Sequence, residues 1–126
     1  MNIVDSSGWM EYITDGTTAD FFALPIEDEA NLLTPTISIY EVFKRVLVEF
    51  GEERAMDAVG VMSRGKVVDL NRQAAIEAAR LSVQSKLAMA DSIILATARA
   101  YDAALWTQDA HFMGIEGVQY IEKGTK

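Results

Sequence analysis

One stretch constrains this chain more than any other: Leu87 to Ala98, reading L-A-M-A-D-S-I-I-L-A-T-A. Ile93, Ile94, Leu95 and Ala98 supply the apolar face of a packed helix beginning at about Ala90, which holds its first turn still. Asp91 falls in that turn, where unsatisfied N–H groups and the helix macrodipole favour an ionised carboxylate. A rigid, ionised acid suits a hard metal ion, and a plain helix cap is the alternative role. Three other acids occupy comparable positions.

From the N-terminus, Met1 to Asp5 predicts a short buried strand built on Ile3 and Val4, with Asp5 at its C-terminal end. Ser6 and Ser7 offer a cap for a helix from near Gly8 to about Thr14, so Asp5 sits at a strand-to-helix turn. Ordinary turn chemistry is the competing role for Asp5. Phe21, Phe22 and Leu24 suggest an amphipathic turn or two that Pro25 stops, and Asn31 to Leu33 a second strand. A helix follows from about Ile37 to Phe50, closed by Gly51, with Ser38 and Glu41 spaced as a capping box.

A further helix spans Glu52 to Ser63, Val67 and Val68 form a small strand, and Asn71 caps a helix through about Lys86. Ala103 to Thr107 reads as a strand, Gln108-Asp109 opens a turn or short helix to Phe112, and Val118 to Ile121 is a last, edge strand. Strands alternate with helices, so the expected fold is a three-layer α/β/α with a mainly parallel sheet. At 126 residues, one domain over residues 1–126 is expected. Ligand crevices of such sheets lie beyond the carboxyl ends of the strands, and Asp5, Glu41, Asp91 and Asp109 would all face that edge.

Composition narrows the chemistry. The chain has no cysteine, which excludes disulfides and thiolate sites, and His111 is its only histidine, so a zinc site of nitrogen and sulfur ligands is not expected. His111 itself reads as a surface residue in a turn. No segment resembles a signal peptide or spans a membrane, so a cytoplasmic location is expected. A net charge of -8 speaks against a general nucleic-acid binder, although an acidic site can meet phosphate through a cation.

If Asp5, Glu41, Asp91 and Asp109 converge, two carboxylates about 4 Å apart repel by about 4 kcal/mol at an effective dielectric of about 20. Either protons or a cation must relieve that repulsion. An all-oxygen ligand set selects Mg²⁺ or Mn²⁺, and such ions polarise phosphate and lower the pKa of bound water. Metal-dependent phosphodiester hydrolysis is the natural inference.

The segments I-V-D-S-S, P-T-I-S-I-Y-E-V, A-D-S-I-I-L-A-T-A and W-T-Q-D-A-H-F resemble, in order, the four motifs of PIN-domain ribonucleases. More narrowly they resemble the VapC-type toxins of bacterial and archaeal toxin–antitoxin pairs, and the resemblance covers the whole chain. It implies that Asp5, Glu41, Asp91 and Asp109 are metal-binding catalytic acids, with Thr107 and Ser6 auxiliary. It also implies RNA as substrate, Mg²⁺ or Mn²⁺ as cofactor, a homodimer, and a neutralising antitoxin. RNA would have to be met by basic residues drawn from Lys44, Arg45, Arg64, Lys66, Arg72, Lys86 and Arg99, although Lys44-Arg45 alone reads as a solvated helix face. Trp9 and Trp106 lie in apolar elements and are expected in the core.

Two other classes compete. A receiver or a haloacid-dehalogenase-like phosphatase shares the architecture, but the latter needs an acid two residues after the first, where this chain has Ser7. A PIN-like fold that only holds a partner is the other, since fold does not fix activity. Half of the residues are apolar, generous for so small a domain, which hints at a covered face. Ile39, Val42, Phe43, Val46, Leu47 and Phe50 on one helix, with Ala55, Met56, Val59 and Met62 on the next, predict an antitoxin groove between those two helices.

Overall fold

Five short parallel strands hold the chain together in a computed structural model that describes residues 1–124. They are β1 (Asn2–Val4), β2 (Leu32–Pro35), β3 (Lys66–Val68), β4 (Ala104–Thr107) and β5 (Val118–Tyr120), in the order β3-β2-β1-β4-β5. The helices are α1 (Ser6–Ile13), α2 (Ala19–Ile26), α3 (Thr36–Phe50), α4 (Glu52–Met62), α5 (Arg72–Ser85) and α6 (Met89–Ala100). Short 3-10 turns cover Glu29–Asn31 and Ala110–Phe112. Each neighbouring strand pair is parallel, so the expected three-layer α/β/α arrangement is present with a wholly parallel sheet.

The strands work because adjacent side chains point to opposite faces. Ile3, Leu33, Val68 and Leu105 pack with α5, α6 and Phe112 on one side. Val4 and Leu32 pack on the other with Trp9, Phe22, Val42, Val46, Ala55 and Met62. A sheet covered on both faces explains why its strands read as continuous apolar runs rather than alternating ones. Helix α6 is buried without a break from Ser92 to Ala98, which fixes its first turn against the sheet. No helix among the described residues is long and apolar enough to cross a membrane.

The chain runs β1, β2, β3 outward in one direction and then returns to place β4 on the other side of β1. The strand order therefore reverses between β1 and β4, and sheets of this kind place their ligand crevice beyond the carboxyl ends of the strands at such a reversal. Backbone pairing continues to that point, with Asp5 N–H donating to Trp106 C=O at 3.1 Å.

Four local expectations change. Helix α1 starts at Ser6, two residues early, because Asp5 itself is the cap and accepts from Gly8 N–H. Pro25 lies inside α2 rather than stopping it; it is buried with Ile26, and that packing outweighs the lost backbone bond. Helix α3 starts at Thr36, so Ser38 is already helical and buried, and no capping box forms with Glu41. Helices α3 and α4 pack directly on each other through Val42, Val46, Ala55 and Met62. Trp9 is fully buried as expected, whereas Trp106 is only partly so and donates to Asn2 Oδ1 at 2.9 Å.

Two helical glycines differ in what surrounds them. A Cβ on Gly8 would fall 2.5 Å from the Phe22 ring and 2.7 Å from Val4 Cγ1, both in the core, so α1 reaches the sheet only because the side chain is absent. A Cβ on Gly60 of α4 would meet nothing within 4 Å. Gly8→Ala should destabilise by about 1–3 kcal/mol through overpacking. Gly60→Ala should stabilise by up to about 1 kcal/mol through helix propensity. Chemical denaturation of both variants checks this, and equal signs would contradict the packing described.

Candidate functional site

The crevice between β1 and β4 collects the acids. Asp5 follows β1 directly and is 3% exposed. Its Oδ1 accepts from Gly8 N–H at 2.9 Å and from Ser7 Oγ–H at 2.8 Å. Its Oδ2 accepts from Thr107 Oγ1 at 2.5 Å. That hydroxyl in turn accepts from Asp109 N–H at 2.9 Å, so its own hydrogen is committed to Asp5. Thr107 is fully buried and thus ties the ends of β1 and β4 together at the floor of the crevice.

Asp109 caps the 3-10 turn after β4, accepting from His111 N–H at 2.9 Å, and that turn is anchored by the fully buried Phe112. Glu41, one turn into α3, accepts from Ser6 Oγ–H at 2.5 Å across 35 residues of chain. Both hydroxyl contacts have the length of charge-assisted bonds to a carboxylate. Asp91 stands in the first turn of α6, and its carboxylate accepts no hydrogen bond among the described residues.

Asp91 is under strong electrostatic pressure. Burial, followed by repulsion from Asp109, Asp5 and Glu41, pushes its carboxyl up to about 6. Burial likewise raises Asp5 above the usual carboxylate range, against the pull of its hydrogen bonds from Thr107, Gly8 and Ser7. The four acids named from the sequence are therefore brought together. Ion pairs among the described residues are Arg45–Glu49, Arg64–Glu29, Arg80–Glu77 and His111–Asp109, so no lysine or arginine neutralises the cluster.

The donor set fits a divalent cation. Asp91, Asp109 and His111 each offer one ligand atom within 4.8 Å of the others, and the Asp91 oxygens have no competing protein donor. A hard ion prefers such oxygens and would relieve their mutual repulsion. Ser7, which the sequence offered only as part of a cap, proves to be a support for Asp5; the signal is its position two residues after an acid at a strand end. His111 lies exposed in a turn, as the sequence suggests, with its Nδ1 3.2 Å from Asp109 Oδ1.

These shifts carry a pH signature. Folded Asp91 keeps its proton to about pH 6, whereas the unfolded side chain loses it near 3.8. The folded state binds the extra proton in that window, so this residue's contribution to stability falls as pH rises from about 4 to 6. Asp91→Asn should therefore gain on the wild type across that range in metal-free buffer. Excess Mg²⁺ or Mn²⁺ should close the gap, since a bound cation at about 100 times its dissociation constant adds about 2.7 kcal/mol. Melting curves of both proteins against pH check this; parallel curves without metal would contradict it.

A family model described as the PIN domain matches residues 3–117. No curated protein matches the chain. Among solved structures, a toxin–antitoxin complex from Klebsiella pneumoniae contains a chain 25% identical, with a TM-score of 0.79 over 94% of this chain and 96% of that one. The sarcin–ricin loop-cleaving toxin VapC20 of Mycobacterium tuberculosis is 13% identical with a TM-score of 0.77, covering 92% and 95%. DNA-bound VapBC from Salmonella typhimurium is 18% identical with a TM-score of 0.76, covering 97% and 98%. With a family match over nearly its whole length and a parallel sheet that ends in four converging acids, this chain belongs to the PIN-domain family.

Proposed function

We propose that the protein is a Mg²⁺- or Mn²⁺-dependent endoribonuclease and the toxin of a toxin–antitoxin pair. The observation that carries this reading is the concentration of Asp5, Glu41, Asp91 and Asp109 at the strand-order reversal with no lysine or arginine among them. A fold gains nothing in stability from such a cluster, and a cation-dependent reaction explains it. RNA is taken as the substrate because the four motifs resemble those of PIN-domain ribonucleases.

In this reading Asp5, Asp91 and Asp109 hold the cation, with Glu41 as the fourth acid. When bound, Mg²⁺ or Mn²⁺ supplies Lewis-acid polarisation of the scissile phosphate and a water of lowered pKa. The protein's own part is positioning. Thr107 fixes the Asp5 carboxylate, with Ser7 and Gly8 holding its other oxygen, and Ser6 aims Glu41. Buried α6 keeps Asp91 from retreating into solvent. Small displacements of such groups are costly to catalysis, so the supporting hydroxyls matter as well as the acids.

Asp5→Asn, Asp91→Asn and Asp109→Asn should each lower metal-dependent cleavage of a structured RNA by orders of magnitude without altering the circular dichroism. Thr107→Val should act in the same direction more weakly. Cleavage that persists equally in all three aspartate variants would assign the activity to something other than this site. Purified wild type that binds the ion yet never cuts RNA would favour a PIN-like binding module.

The antitoxin reading draws on the Klebsiella pneumoniae complex and on an open apolar groove. A cavity of about 660 Å³ lies between the end of α1 and the α3–α4 pair, lined by Tyr12, Ile13, Phe50, Arg54, Asp57 and Val61 among others. The groove is walled by Val46 and Phe50 of α3, by Arg54, Ala58 and Val61 of α4, and by the end of α1. An amphipathic antitoxin segment would lay its apolar side on Phe50 and Val61 and meet Arg54 and Asp57 at the rim. Phe50 is nine residues beyond Glu41, about 14 Å along the helix, so substitutions there should leave the acids undisturbed. Exposed Ile76 and Val83 on α5 supply surface for the homodimer that belongs to the same reading.

Phe50→Asp and Val61→Asp should weaken inhibition by the cognate antitoxin at least about tenfold, the equivalent of 1.4 kcal/mol, while sparing RNA cleavage. Titration of cleavage with purified antitoxin measures this. Unchanged inhibition of both variants would move the partner to another face.

A further inference from the structure

The turn after β4 brings one more side chain to the acids than the proposed mechanism uses. Phe112 is fully buried beside α6, and Asp109 caps the same turn through His111 N–H. The turn is only three residues long, and His111 directly precedes the buried Phe112 in it. The His111 Nδ1 lies 3.2 Å from Asp109 Oδ1 although the side chain is 79% exposed, so packing does not hold it there. One ligand atom each of His111, Asp91 and Asp109 falls within 4.8 Å of the other two.

These separations have the scale of a coordination sphere. An ion with ligands at about 2.1 Å sets adjacent ligands about 3 Å apart, close to the observed contact between the imidazole and Asp109. The Asp91 carboxylate faces the same space without a hydrogen bond among the described residues. A carboxylate and an imidazole so near each other are poised to share one cation.

We propose that His111 is a nitrogen ligand of the divalent ion held by Asp91 and Asp109. The inference rests on the reading of this crevice as a metal centre and specifies its donor set. Mg²⁺ favours oxygen, whereas imidazole raises affinity for first-row transition ions, increasingly along the series from Mn²⁺. One nitrogen among carboxylates therefore biases the centre toward Mn²⁺ and its later neighbours over Mg²⁺. The ligand is also the most exposed of the three, so it can swing away when the ion leaves.

Mn²⁺ alone is the probe, added to the full chain without RNA. Electron spin-echo modulation should detect nitrogen coupled to bound Mn²⁺ in the wild type and lose it in His111→Ala. Loss of the free-ion resonance, read as a titration, should show Mn²⁺ affinity falling at least about tenfold in the variant, with Mg²⁺ affinity changing far less. The exposed position leaves the fold of His111→Ala intact, which circular dichroism confirms independently. Bound Mn²⁺ with no nitrogen coupling in the wild type, or coupling that survives in His111→Ala, overturns the inference and leaves the metal centre standing. Failure of the wild type to bind Mn²⁺ at all overturns both.

Discussion

A buried carboxylate at the end of the central strand sets the terms for the rest of this molecule. Asp5 is almost inaccessible and burial works against its charge, yet three donors converge on it: Thr107 from β4, and Ser7 and Gly8 from α1. An unpaired buried charge would be costly, whereas one held by several hydrogen bonds can persist. The same three bonds join β1, β4 and the first turn of α1 at one point. Removing that junction would loosen the crevice, and the other acids are arranged around it.

Those other acids raise a problem the hydrogen bonds do not solve. Asp91 is driven upward by burial and by Asp109, Asp5 and Glu41 together, and it has no donor of its own among the described residues. A protein selected only for stability would place an apolar residue in the first turn of α6. The cluster makes physical sense as a site whose ionised state is completed by a cation. Its supports come from neutral hydroxyls and backbone amides, which orient carboxylates without neutralising them.

Much of this was legible in the chain. The apolar run of α6 placed Asp91 in a first turn, and the strand–helix alternation placed all four acids at one edge of a parallel sheet. The details that escaped are those set by contacts distant in sequence. Ser38 and Glu41 had capping-box spacing, but Glu41 is satisfied by Ser6, 35 residues away, and Ser38 is buried. Pro25 read as a terminator because local backbone rules cannot register its burial beside Ile26. The apolar faces of α3 and α4 predict a groove, but periodicity does not tell that the end of α1 forms its third wall.

The central claim is that these carboxylates share an ion. Anomalous diffraction from Mn²⁺-soaked crystals, collected at the manganese absorption edge, tests it most directly. The account predicts a peak in the crevice beyond β1 and β4, within coordination distance of Asp5, Asp91 and Asp109. Strong peaks only at surface acids such as Glu27 or Glu52, with the crevice empty at saturating Mn²⁺, would contradict it.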